Sequence, residues 1–238
     1  MKKKILITGG TGFIGSHLCE LCVRKGFKVT SFDRYNTNYS LGNLKNSKYE
    51  KDINFIFGDI RDRDSVEKAL KGQDIVFHLA ALVGIPYSYI SPLAYVRTNI
   101  EGTYNVLEAL KNSKSLKQAI ITSTSEVYGT AVKVPINEEH RLLGQSPYSA
   151  TKIAADNLAL SYYHSFDLPI KIIRPFNTFG PRQSHRALIP TIILQASRSK
   201  EIHLGNINTT RDFTYVEDTC NAFLELSKSK LFGRPVNV

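Results

Sequence analysis

The stretch Lys4-Ile5-Leu6-Ile7-Thr8-Gly9-Gly10-Thr11-Gly12-Phe13-Ile14-Gly15 decides the fold. Ile5-Leu6-Ile7 is a short apolar run that reads as a buried strand, and the residues from Phe13 to Arg24 carry apolar side chains at helical spacing. Glycines at 9, 12 and 15 stand between and within these two patterns. Strand, tight turn and helix form the arrangement that grips a pyrophosphate. Glycine lets the backbone approach phosphate, and the helix N-terminus offers unpaired N–H groups and a partial positive charge to the anion.

Working outward, strand and helix alternate. Strands are expected at Lys4–Thr8, Lys28–Asp33, Asn54–Phe57, Asp74–Leu79, Gln118–Ser123 and Ile170–Arg174. Helices are expected at Phe13–Arg24, Ser65–Lys71, Ala94–Leu110 and Tyr148–Phe166. Right-handed crossovers place these strands in one doubly wound parallel α/β sheet. Arg34–Asp52 is the longest irregular stretch. After Pro175 the rhythm weakens, and segments at Ala187–Ser197, Ile202–Leu204 and Tyr215–Ser227 suggest a smaller lobe. The expected division is a dinucleotide-binding domain over 1–174 and a partial substrate lobe over 175–238. Pro235-Val236-Asn237-Val238 reads as the beginning of a strand with nothing after it, as in a truncated chain.

Composition bounds the class. The 238 residues are 42% hydrophobic and 22% charged, which is globular. A net charge of +10 can attract anions, but the basic residues are scattered and no basic-aromatic cluster resembles a nucleic-acid module. Lys2-Lys3-Lys4 opens the chain like a signal peptide, yet only three apolar residues follow, and no stretch approaches a membrane span. A cytoplasmic protein is expected. The three cysteines make no disulfide framework, and Cys19 and Cys22 lie on the first helix with no second pair to complete a zinc site, so they read as core. His17 and His78 read as structural residues, and no metal is expected.

Tyr148 and Lys152 are four residues apart and share a helix face. An ammonium there can acidify the phenol. A shift of about three units from pKa ~10, worth roughly 4 kcal/mol, would leave half of it ionised at neutral pH and able to take a proton from an alcohol. Asp33, 18 residues after Gly15, can accept both hydroxyls of a ribose and repels a 2′-phosphate, which favours NAD.

A nucleotide half followed by a Tyr-x-x-x-Lys helix resembles the extended short-chain dehydrogenases/reductases, with their Rossmann-like fold. The resemblance implies a cofactor site of Gly9, Gly12, Phe13, Ile14, Gly15, Asp33, Asp59, Ile60, Leu79, Ala80, Ala81, Asn99, Tyr148 and Lys152. The segment Thr122-Ser123-Thr124-Ser125-Glu126-Val127-Tyr128-Gly129 looks like the active-site loop of nucleotide-sugar epimerases and dehydratases. Those enzymes oxidise the sugar at C4. An epimerase then needs little beyond a hydroxyl such as Thr124, whereas a 4,6-dehydratase needs a base for C5 and an acid for the C6 hydroxyl, roles open to Glu126 with Ser125.

Further stretches, among them Ile85-Pro86-Tyr87-Ser88-Tyr89-Ile90 and Ile173-Arg174-Pro175-Phe176-Asn177-Thr178-Phe179-Gly180-Pro181-Arg182, resemble the N-acetylglucosamine-nucleotide 4,6-dehydratases of legionaminic-acid biosynthesis. That resemblance implies a UDP- or GDP-linked sugar as partner, Asn177 and Arg211 as its contacts, and a homodimer. UDP-glucuronate decarboxylase and C4 epimerase stay open as alternatives. A redox sensor without catalysis would lack the Tyr-x-x-x-Lys pair, which is intact here.

Overall fold

The computed structural model describes residues 2–238. Its centre is a seven-stranded sheet built from β1 (Lys4–Thr8), β2 (Lys28–Arg34), β3 (Ile53–Gly58), β4 (Ile75–His78), β5 (Gln118–Thr122), β6 (Ile170–Arg174) and a late strand, Pro235–Asn237. The spatial order is β3-β2-β1-β4-β5-β6 followed by the late strand, and every pairing is parallel. The chain winds one way from β1 to β3 and then crosses back to β4. A crevice therefore opens beyond the carboxyl ends of β1 and β4, the place where such sheets bind ligands.

Successive side chains on a strand point to opposite faces. Ile5 and Ile7 enter one core with Leu18, Cys19 and Cys22 of α1 (Phe13–Arg24), while Leu6 enters a second with Val66 of α2 (Arg63–Leu70). Both faces are covered, so these strands read as unbroken apolar runs. Between β4 and β5 lie α3 (Ile85–Ile90), α4 (Pro92–Tyr95), a π-helical stretch at Val96–Glu101 and α5 (Gly102–Lys111). The long helix α6 (Pro147–Phe166) starts from a capping box in which Ser146 and Ser149 bond each other's backbone N–H, with Pro147 in the first turn.

The expected division at residue 174 does not follow the packing. A small lobe does form from β7 (Asn177–Phe179), α7 (Leu188–Ala196) and β8 (Phe213–Tyr215), whose two strands pair with each other. However, α8 (Val216–Lys228) sends Val216, Cys220, Phe223, Leu224 and Leu226 into the same core as α1. The final strand β9 (Pro235–Asn237) pairs with β6 and completes the main sheet. Ile202–Leu204 takes no regular structure. The fully buried Lys171 of β6 donates to Gln118 Oε1 at 2.8 Å and to the carbonyls of Leu226 and Ser229 at 2.7 Å each, which joins the sheet to the end of α8. Cys19, Cys22 and Cys220 are free and buried, and burial pushes their thiols up. No helix among the described residues is long and apolar enough to cross a membrane.

Candidate active site

A cleft of about 560 Å³ occupies the crevice beyond β1 and β4. Its floor is the glycine turn. Gly9 has φ +74, a conformation that side chains disfavour, and a Cβ there would stand 3.0 Å from the backbone of Ala80. At Gly15 a Cβ would come within 2.1 Å of the Gly9 carbonyl. The turn thus closes against the start of α1 and the exit of β4 with no room for side chains. The first turn of α1 has no side-chain cap, and Gly12, Phe13, Ile14 and Gly15 line the cleft. Backbone cradle, uncapped helix start and volume together fit the diphosphate of a dinucleotide.

Asp33 lines the same cleft at the end of β2. Its Oδ1 accepts from the backbone N–H of Thr11 at 2.9 Å and from the Thr11 hydroxyl at 2.8 Å, and its Oδ2 accepts from Ser31. Burial raises its pKa against these bonds. Asp33 is therefore an anchor for the glycine turn as well as a cleft carboxylate, and Thr11 is a cleft residue that sequence reasoning missed. Asp59 and Ile60 also line the wall, with Asp59 gripped by Arg61, whose Nε lies 2.9 Å away; this bond lowers the carboxyl's pKa. Leu79, Ala80 and Ala81 form the opposite wall. Beneath them, His78 Nδ1 meets Thr8 Oγ1 at 2.8 Å and Nε2 meets Thr103 Oγ1 at 3.1 Å. Burial lowers this imidazole to about 3, so it is neutral, in keeping with a structural role.

Asn99 requires a correction. It is buried behind the wall, where its Oδ1 accepts from Leu82 N–H at 2.8 Å and its Nδ2 donates to Leu82 O at 3.0 Å and Thr151 Oγ1 at 3.1 Å. All its polar atoms are engaged in bracing the segment after β4 against α6. Asn99 supports the cleft without lining it.

Tyr148 and Thr124 both line the cleft, close enough for the Thr124 side chain to lower the pKa of the phenol. Tyr95 packs edge-on against the Tyr148 ring at 6.3 Å. Lys152 lies one turn on, and its Nζ donates to the Thr122 carbonyl. The expected acidification of the phenol is reversed here. Burial pushes Tyr148 up to about 12, Thr124 opposes this, and the Glu126 charge adds to it. Burial likewise lowers Lys152 to about 8, opposed by Asp156. Burial is the largest cause of both shifts.

Ser125 and Glu126 are half-buried on a 3-10 turn at Ser125–Tyr128, where the Thr124 hydroxyl caps the Glu126 N–H at 3.2 Å. They sit beside the cleft, not on its lining. Asn177 and Arg211 fall outside the cleft: Asn177 Nδ2 donates to the Asp212 carbonyl at 3.2 Å, and the exposed Arg211 donates to the Thr210 carbonyl at 2.8 Å. Pro175, Phe176 and Thr178 of the same segment line the cleft wall.

A family model described as GDP-mannose 4,6 dehydratase matches residues 6–232. The chain is 36% identical over 229 residues to a trifunctional UDP-glucose 4,6-dehydratase/UDP-4-keto-6-deoxy-D-glucose 3,5-epimerase/UDP-4-keto-L-rhamnose-reductase of Arabidopsis thaliana, covering 93% of this chain and 34% of that one. It is 35% identical over 251 residues to a UDP-N-acetyl-alpha-D-glucosaminuronate decarboxylase of Bacillus cytotoxicus, covering 100% and 75%. Among solved structures it superimposes with TM-score 0.90 on UDP-glucuronic acid 4-epimerase from Bacillus cereus in complex with UDP-glucuronic acid and NAD, at 34% identity over 99% of this chain and 77% of that one. The chain thus spans about a third of the plant protein and three quarters of the two bacterial ones.

Proposed function

The chain belongs to the GDP-mannose 4,6-dehydratase family, and from that premise we propose that it carries out the NAD-dependent 4,6-dehydration of a nucleotide-diphosphate sugar, with N-acetylglucosamine on UDP or GDP as the sugar. NAD, when bound, supplies the ring that accepts hydride from the sugar and gives it back. Gly9, Gly12 and the start of α1 hold the cofactor's diphosphate, and Asp33 faces its ribose. Tyr148 takes the proton of the C4 hydroxyl as that carbon is oxidised and Thr124 holds the C4 oxygen, while the positive charges of Lys152 and of the nicotinamide ring of bound NAD would lower the phenol from the value that burial alone gives it. The new ketone acidifies the C5 proton. Glu126 removes it and, with Ser125, protonates the departing C6 hydroxyl, which leaves as water. The same reading carries Asn177 and Arg211 as sugar-nucleotide contacts and a homodimer in the cytoplasm.

The observation that carries the elimination is Glu126. Its turn is capped by Thr124, which lines the cleft with Tyr148, and its charge bears on the phenol. Simple C4 inversion has no use for a carboxylate there. C4 epimerisation is the second reading, favoured by the solved epimerase at 34% identity and TM-score 0.90. Incubation with UDP- and GDP-N-acetylglucosamine in deuterated water, followed by mass spectrometry, separates them. The proposal requires a product lighter by one water with deuterium at C5. A product of unaltered mass refutes it and leaves the epimerase; loss of carbon dioxide from the corresponding uronate would make the protein a decarboxylase.

A further inference from the structure

Three consecutive residues leaving β5 engage one face of α6. The Thr122 carbonyl takes the Lys152 ammonium, the Ser123 hydroxyl donates to Asp156 Oδ2 at 2.8 Å, and Thr124 lines the cleft beside Tyr148 and lowers the pKa of its phenol. Tyr148, Lys152 and Asp156 follow one another at four-residue steps, so they form a single row. Two of the three carry the proposed chemistry. Asp156 has no role in it so far, although it is 1% exposed.

The bonding of Asp156 is lopsided. Arg174 of β6 reaches it with Nε at 3.1 Å and Nη2 at 3.0 Å, and both bonds end on Oδ2, the oxygen that also takes Ser123. Oδ1 is buried and has no hydrogen-bond partner. A carboxylate whose only task was to neutralise a guanidinium would meet the fork with both oxygens. Here Arg174 also spends Nη1 on the Tyr128 hydroxyl at 2.8 Å. One carboxylate oxygen is thus left uncommitted in a dry place one helical turn from Lys152, where side chains at this spacing stand about 5–6 Å apart at Cβ.

We propose that Asp156 is a positioning residue: fixed by Arg174 and Ser123, its carboxylate keeps the Lys152 ammonium charged and in place beneath the cleft. The proposal rests on the reading of Lys152 as part of the active site. The other groups around Lys152 do not supply this charge. His78, from β4, is neutral; Tyr148 on the same helix, Tyr95 from α4 and Arg174 from β6 carry no negative charge; and Glu126, from the 3-10 turn, bears on the phenol. Asp156 is the group that opposes the effect of burial on Lys152; burial raises its own carboxyl, against which the charges of Arg174 and Lys152 and the Ser123 bond act.

The test is the titration of Lys152 itself, followed by NMR of protein labelled at lysine Cε, with Lys152→Arg identifying the resonance. The wild-type midpoint is expected near 8, and Asp156→Asn should lower it by at least about one pH unit, a tenfold change in protonation. An unchanged midpoint in a folded Asp156→Asn protein overturns the proposal. Should that variant fail to fold because Arg174 loses its counter-charge, Asp156→Asn with Arg174→Gln removes both charges. A lowered Lys152 midpoint is again expected there, and an unchanged or raised one again refutes. The alkaline limb of the turnover profile should move by the same amount. The NMR midpoint needs no turnover, so a protein that dehydrates no sugar nucleotide would refute the proposed function while leaving the Asp156 result readable.

Discussion

Asn99→Ala distinguishes a residue that touches the cofactor from one that holds up the wall beside it. The buried side chain makes three hydrogen bonds, two part-buried ones to the backbone of Leu82 and a buried one to Thr151. Thr151 keeps a bond to the Tyr148 carbonyl at 2.7 Å, so the loss falls mainly on the Leu82 N–H and C=O. Each buried group left without a partner costs roughly 1–3 kcal/mol, and water entering from the cleft side offsets part of it, which gives about 2–4 kcal/mol for the substitution. For a chain of this size that corresponds to a drop of roughly 5–15 °C in Tm. Circular-dichroism melts measure the stability loss, and calorimetric titration with NAD measures affinity. The expected outcome is a large loss of stability with a secondary loss of affinity. A variant that melts within about 2 °C of the parent but binds NAD ten times more weakly would refute the bracing role and return Asn99 to the cofactor.

Gly15→Ala forces a methyl to within 2.1 Å of the Gly9 carbonyl, so the turn must open and NAD affinity should fall at least about tenfold; affinity within twofold by calorimetry would count against the cradle. Tyr148→Phe keeps the ring packing and removes the phenolic oxygen, and turnover of the sugar nucleotide should fall by about two orders of magnitude; a near-normal steady-state rate would mean that another group takes the proton. His78 has its pKa lowered from 6.5 to about 3 in the fold. The unfolded chain therefore binds the extra proton first, and this contribution to stability, complete above pH 6.5, is lost at up to about 1.4 kcal/mol per unit as the pH falls toward 3. Urea unfolding of His78→Gln should show a shallower acid slope than the parent, and identical slopes would show that the imidazole is not the group responsible.

The strands of the sheet centre were legible because burial on both faces leaves runs such as Ile5-Leu6-Ile7 and Ile75-Val76-Phe77, and α1 was legible from its spacing. β9 read as the beginning of a strand but not as part of the main sheet, because its partner, β6, lies about sixty residues earlier. The cleft floor followed from the glycines, whose need for close approach is a property of residue type. Asn99 was misplaced because motif order fixes where a residue lies along the chain but not which way an amide points. The phenol of Tyr148 was misjudged for a related reason. Helical spacing reveals the neighbour at Lys152 but not the burial that acts on both. The pairing of Asp156 with Arg174 left no signal, since it joins a helix to a strand.

Lys171 has a consequence for how the molecule opens. Its three acceptors come from β5, from the last turn of α8 and from the link that follows. An ammonium in that position has no water to turn to. If α8 frayed at its end, two of these acceptors would go at once and leave the ammonium poorly paired. Partial opening is thus costlier than its few broken backbone bonds suggest. Amide protons at the end of α8 are accordingly expected to exchange with solvent together with those of β5 and β6, in one cooperative unit.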